Sequence, residues 1–252
     1  LRREIAGQGV LLRAGALHAA LTHTGRPATA ACDLVDAAAS SAERRWHQAL
    51  TGNARPEPPN PAPLRAAARS TEVRLGADKL LALHPSRDLA AEHDHEIALI
   101  GALIAHPDKI PTVAAWLPPT RITEPAWRTV YACALDLLER EQFVDEVSVA
   151  WAIRGPAHHG APVPDVTALT GAVSAARFMP AGTAARLVAG DQLRRLADIG
   201  ADQLHTAAAN PGVQIADLID TTHLLTTSLR QVATALAPPP VTTTQGPAQV
   251  RQ

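Results

Sequence analysis

The sequence predicts an all-α protein: a small helical globule followed by a long helical hairpin, with a partial copy of that hairpin ahead of them. Three observations lead there. The apolar content, 46% of the chain, is mostly Ala, Leu, Val and Ile, with only 3% aromatics. Ala and Leu lose little side-chain entropy in a helix, whereas aromatic and β-branched residues favour strands. Apolar residues recur at helical spacing in long stretches, and the two ends of the chain resemble each other.

That resemblance defines the first element. Leu17-His18-Ala19-Ala20 parallels Leu204-His205-Thr206-Ala207, and Gly25-Arg26-Pro27 parallels the turn Asn210-Pro211-Gly212. Cys32-Asp33-Leu34-Val35-Asp36 then parallels Ala216-Asp217-Leu218-Ile219-Asp220. Each copy continues as a helix and meets a proline-rich segment, so residues 1–52 are expected to close a first unit. The chain opens on Leu1, as though inside a helix, as a fragment would. Five prolines between Asn53 and Pro63 cannot continue a helix, and residues 53–90 are assigned to a linker.

The second unit spans 91–236, with a globule over 91–182 and a hairpin over 183–236. Asp94 is expected to cap a helix from His95, with Glu96 in its first turn. From Ile97, residues Ile100, Gly101 and Ile104 follow one face. Thr123 is expected to cap the next helix, with Glu124 and Pro125 behind it, and Trp127, Val130, Tyr131, Ala134, Leu135 and Leu138 share a face. Asp145 should cap a third helix through Val149 and Ile153, which Gly155 stops. Gly155 to Pro164 reads as a break. A long helix from about Thr183 to Ala209 turns Leu187, Leu193, Leu196, Ile199, Gly200 and Leu204 inward. After Asn210-Pro211-Gly212 a partner runs from about Gln214 to Leu236. The tail over 237–252, rich in Pro, Thr and Gln, is expected to be disordered.

Several motifs of the second unit occur together. Glu96 precedes the apolar run Ile97 to Ile104, which contains Gly101 and ends in His106-Pro107. Trp116-Leu117-Pro118-Pro119, Trp127-Arg128 through Leu138, and Phe143-Val144-Asp145-Glu146-Val147-Ser148-Val149 follow in order. Over about 115 residues this order and spacing resemble the N-terminal domain of DnaB-type replicative DNA helicases. The chain departs from that pattern in having Ile122 where the family usually carries an aromatic, and in the composition of Gly155 to Pro164. The resemblance implies a helical globule plus a hairpin, with hairpins pairing between subunits into a collar that also meets primase and loader proteins. It implies no chemistry for this domain, since the family's ATPase motor is separate.

Composition and motifs exclude other classes. The formal charge is −1 and the pI about 6.9, so no global basic field draws the chain to DNA. Neither Lys79 nor Lys109 stands in a P-loop, which needs Gly-x-x-x-x-Gly-Lys-Ser/Thr to cradle phosphates. The longest apolar run, Ile97 to Ala105, is about half what spans a bilayer, and no signal-like core opens the chain. Cys32 and Cys133 stand alone, as buried thiols of a cytoplasmic protein.

Candidate sites are correspondingly few. His93, His95, His158 and His159 could chelate a metal, but helix capping by Asp94 explains the first pair better, and no metal, cofactor or catalytic residue is expected. The acids Asp33/Asp36 and Asp217/Asp220 read as helix-start acids. The pairs Arg2-Arg3, Arg44-Arg45 and Arg194-Arg195 read as solvated faces, with DNA contact as the alternative. Trp127 and Trp151 read as core, and Trp116 as the closure of a helix. Trp46, Leu187, Leu193, Leu196, Leu218, Leu225 and Leu229 are candidate interface residues, because aromatic anchors and apolar hairpin faces mark association surfaces. The expected function is non-catalytic: self-association through the hairpins, or binding of a replicative helicase, primase or loader. The alternatives are a piece of a full ATP-dependent helicase and a nucleic-acid-binding accessory protein.

Overall fold

In the computed structural model, residues 1–51, 74–84, 87–155, 160 and 162–236 are described. The proline run over 53–63, His158-His159 and the tail from 237 lie outside them. The described residues contain helices and turns and no strand. Helices α1 (Arg2–Thr22) and α2 (Arg26–Thr51) form a hairpin, and α3 covers 74–83. Then follow α4 (Leu89–Ala105), α5 (Ile110–Ala114), α6 (Pro125–Glu139), α7 (Glu146–Ala152) and α8 (Val166–Ala176). The long α9 (Ala181–Ala209) and α10 (Ile215–Ala235) close the fold.

Two cores divide these helices. The globule core joins α4 through α8 around Leu99, Leu103, Ile110, Ile122, Tyr131, Val149 and Leu169, all sealed from solvent. The buried Tyr131 hydroxyl donates to the Leu117 carbonyl at 3.0 Å. Gly101 lies where α4 crosses α8; a Cβ there would collide with the carbonyl of Ala172. Glycine is thus required at this position by backbone approach, and that explains its place in the apolar run.

The second core joins both hairpins, α1 and α2 with α9 and α10, around Ile5, Leu12, Val35, Leu193, Leu204, Leu218 and Leu229. Around this bundle α2 packs on α1, α1 on α9, α9 on α10 and α10 back on α2. Helices α1 and α9 run antiparallel, with Gly9 against Ala201 at one crossing and Ala20 against Gly190 at the other. The globule and the bundle share α9. Its first turns, Ala181 to Val188, belong to the globule core, and Ala189 onward belongs to the bundle. The boundary expected at 182/183 therefore falls inside one continuous helix. Trp116 packs against both cores.

Several local expectations change. Helix α4 begins at Leu89, six residues before the start expected at His95, and its N-cap is Asp88, whose carboxylate accepts from the N–H groups of Ala90 and Ala91 at 3.0 Å. Asp94 lies inside the helix, exposed. Thr123 does not cap α6 with its side chain. The Glu96 carboxylate does so from the neighbouring helix, accepting from the N–H of Thr123 at 2.7 Å and of Glu124 at 3.0 Å. Asp145 caps α7 as expected, in a capping box with Ser148. Residues 74–83, assigned to a linker, are helical, and Ala77 is buried. Ile199 turns outward, off the faces of α9 that α1, α4 and α10 cover.

Candidate interaction surface

The apolar faces of the two hairpins meet within one chain, and polar groups stitch their edges. At one end Arg2 donates to the carbonyls of Asn210 (2.8 Å), Pro211 and Val213, so the start of α1 holds the α9–α10 turn. At mid-length Arg13 pairs with Asp198 (3.3 Å) and Asp202 (2.5 Å) across the α1–α9 seam. Arg45 pairs with Glu4 at 3.1 Å inside the first hairpin.

The α2–α10 seam carries the densest cluster. Asp36 accepts from Thr226 Oγ1 at 2.6 Å and meets His223 Nδ1 at 3.0 Å and Arg230 at 2.5 Å, while Arg230 also reaches Asp33 at 2.7 Å. Burial alone would raise the Asp36 pKa. The hydrogen bonds from Thr226, Arg230 and His223 outweigh it and hold the carboxyl below its usual value. Asp33 and Asp36 are therefore seam residues, whereas Asp217 and Asp220 in the other copy face solvent. The two copies also differ at Leu34, half exposed, against the buried Leu218, although Leu17/Leu204 and Val35/Ile219 are buried in both.

A second network joins the globule to α9. Glu92 on α4 is buried and receives Arg87 through two bonds of 2.6 Å and Arg195 of α9 at 3.1 Å. Burial works to raise the Glu92 pKa, but these guanidiniums hold it below normal. His95 Nδ1 meets Asp191 of α9 at 2.7 Å. Burial raises the pKa of Asp191, and also that of Asp198. His95 thus serves the α4–α9 joint, and among the described residues no group of His, Cys, Asp and Glu is arranged to hold a metal ion.

The candidate interface residues fall into two groups. Leu193, Leu218, Leu225 and Leu229 are buried in the bundle core, between hairpins of the same chain. Leu187, Leu196 and Trp46 are partly exposed. The arginine pairs, read as solvated, are largely engaged: Arg2, Arg45 and Arg195 each hold a partner in another helix or turn. Trp127 is core as expected. Trp151 is not: its ring is 76% exposed, because α7 presents Val149, Ala150 and Ile153 to the globule and turns Trp151 away. No single described helix is long and apolar enough to cross a membrane.

A cleft of about 490 Å³ lies between α1, α3 and α9. It is lined by Arg13, Arg87, Arg194, Asp198 and Asp202 among others. Arg13 and Arg87 are already matched by carboxylates, so the cleft presents no uncompensated anion site through them.

Residues 88–170 match the family model described as the DnaB-like helicase N terminal domain. That span starts at the α4 cap and ends within α8, so it covers most of the globule and stops before the hairpin helices. Neither a curated protein nor a solved structure matches the chain. In its globule, from residue 88 to residue 170, the chain carries a domain of the DnaB-like helicase N-terminal family.

Proposed function

We propose that this chain is a non-catalytic assembly module of the replicative-helicase type, acting through protein–protein association in DNA replication in the cytoplasm. One observation carries the reading: a globule of the helicase N-terminal family is fused through α9 to a bundle of two paired hairpins. In the family, hairpins pair between subunits. Here residues 1–51 supply a second hairpin in cis, which we read as the closing hairpin of a tandem copy.

Occupation of the pairing face in cis shifts the expected mode of association. Burying Leu193, Leu218 and Leu229 inside the chain removes the surface that would drive simple hairpin-mediated self-association. Association then uses the outer faces of the bundle and the globule, with a replicative helicase, primase or loader as the expected partner. The test is light scattering after size-exclusion chromatography of the chain, alone and mixed with the helicase and primase of its own organism. A monomer that forms a defined complex with either supports the reading. Absence of both self-association and complex formation at about 50 μM, well above a micromolar Kd, would overturn it. Hydrolysis of ATP by the purified chain would contradict its non-catalytic character.

A further inference from the structure

Both phenylalanines and one of the four tryptophans of this aromatic-poor chain lie on its surface: Phe143 is 78% exposed, Phe178 93% and Trp151 76%. Phe143 and Trp151 do so together. Val147, 58% exposed, and Trp151 stand at i and i+4 on one face of α7, and Phe143 stands in the extended segment two residues before its Asp145 cap. The opposite face, Val149, Ala150 and Ile153 with Val144 before the cap, is buried in the globule. A helix that is apolar on both sides is ordinarily covered on both sides. Helix α7 is covered on one.

The turn before α7 fixes this exposure. Glu141 takes a left-handed backbone (φ 57°), the Gln142 N–H bonds back to the Leu137 carbonyl at 2.9 Å, and Val144 plugs into the core. Phe143 is thereby turned outward. The Asp145–Ser148 capping box then locks the first turn of the helix. The stripe is pre-organised, so binding to it orders little of this chain.

The surroundings are acidic. From Asp136 to Arg154 the chain carries Asp136, Glu139, Glu141, Asp145 and Glu146 against Arg140 and Arg154. Arg140 is tied to Asp136 at 2.9 Å. An apolar patch with Glu141, Asp145 and Glu146 next to it in the chain suits an occupant with an apolar row flanked by cations. We infer that the α7 stripe of Phe143, Val147 and Trp151 is a docking site for a basic amphipathic helix of a partner protein. It lies on the globule, apart from the hairpin seams, and does not depend on the oligomeric reading above. Three side chains make a small interface, so the affinity expected is micromolar and the contact transient.

The test uses the full chain and a fluorescein-labelled 16-residue helical peptide with Leu at i, i+3, i+4 and i+7 and Lys or Arg elsewhere. Fluorescence anisotropy should report binding in the range of about 10–100 μM, weakening at least tenfold in Phe143→Ser/Trp151→Ser. The same peptide with Glu in place of its cations should bind at least tenfold more weakly. Triple neutralisation by Glu139→Gln, Glu141→Gln and Glu146→Gln should weaken the basic peptide by a factor of about three to ten and lessen its salt dependence. All altered side chains are exposed or half-exposed, so an unchanged melting profile is expected and serves as the folding control. The inference fails if the basic peptide does not bind at 500 μM, if both peptides bind alike, or if the serine variant binds like the parent. It fails equally if the chain dimerises through this stripe, seen as a dimer that the serine variant converts to monomer.

Discussion

Gly190 of α9 lies directly against Ala20 of α1, so closely that a methyl group at Gly190 would stand 3.1 Å from the Ala20 Cβ. The second crossing is closer still: a methyl at Gly9 would stand 2.8 Å from the Ala201 Cβ. Small residues let these two backbones approach, and the approach lets Leu12, Leu193 and Leu204 share one core. The hairpins are paired by shape first and by ion pairs second. The wedge variant Gly190→Leu should lower stability by about 1–3 kcal/mol through overpacking. Where it parts α1 from α9, light scattering should also reveal concentration-dependent dimers, since the exposed face of α9 would find another copy.

Core and surface leucines of the bundle should separate cleanly. Leu193→Ala and Leu229→Ala each leave a cavity between helices and should cost about 2–5 kcal/mol in chemical denaturation. Leu224 is 70% exposed on the same α10, and Leu224→Ala should stay within about 0.5 kcal/mol. Equal losses at all three would mean that the bundle does not persist in solution.

The Glu96 carboxylate satisfies two backbone N–H groups at the start of α6 from a different helix. Glu96→Gln keeps the shape but loses the charge-assisted bonds, and a cost of about 1 kcal/mol is expected. Glu96→Ala leaves both donors without this acceptor and should cost about 2–3 kcal/mol. Thermal melts of the two variants give the comparison; Thr123→Ala removes no cap and only the bond that the Thr123 hydroxyl accepts from Arg195, and should cost less than about 1 kcal/mol.

Asp36 sets a direction for pH. Its folded pKa lies below the ordinary value because the hydrogen bonds from Thr226, Arg230 and His223 outweigh its burial. Its contribution is therefore complete above the unfolded pKa of about 3.9 and is lost as the pH falls through the lower folded value. Asp36→Asn should destabilise by about 1–2 kcal/mol at pH 7, and the gap to the parent should begin to narrow below about pH 4 and close as the pH falls through the lower folded value. Asp191 and Asp198 act with the opposite sign. Burial raises their pKa, so protonation favours the folded chain there and partly offsets the loss at Asp36.

The thiols report opening of each core separately. Cys32 lies in the bundle and Cys133 in the globule, both buried, and burial pushes each pKa up to about 11. Iodoacetamide at pH 7.5 should modify neither in the folded chain, because the thiolate is scarce and the sulfur shielded. Under mild denaturant, mass spectrometry should show which cysteine is labelled first, and hence which core opens first.

The sequence alone determined the helical class, the Asp145 cap, the α9–α10 hairpin and the family motifs of the globule. All of these rest on local signals: periodicity over 15 or more residues, a capping residue, a turn of Asn, Pro and Gly. It misplaced the Asp88 cap of α4 because Asp94 offered the same local chemistry six residues later. Helical periodicity puts Trp151 on an apolar face without saying whether anything covers that face, and among the described residues nothing does.

What only the tertiary structure decided is non-local. Glu96 caps α6 from 27 residues away in sequence, and Gly101 is required by a carbonyl of α8. The hairpin at 1–51 closes on the hairpin at 181–235 through contacts nearly 190 residues apart, such as Arg13 with Asp198 and Asp36 with His223. The repeat between the chain ends indicated that the hairpins are alike, but similarity of two amphipathic faces does not say whether they meet each other or another chain. Here shape, in Gly9, Ala20, Gly190 and Ala201, and charge, in Arg13, Asp36 and Arg230, match across the chain's own two halves. That match gives the pairing in cis its physical basis.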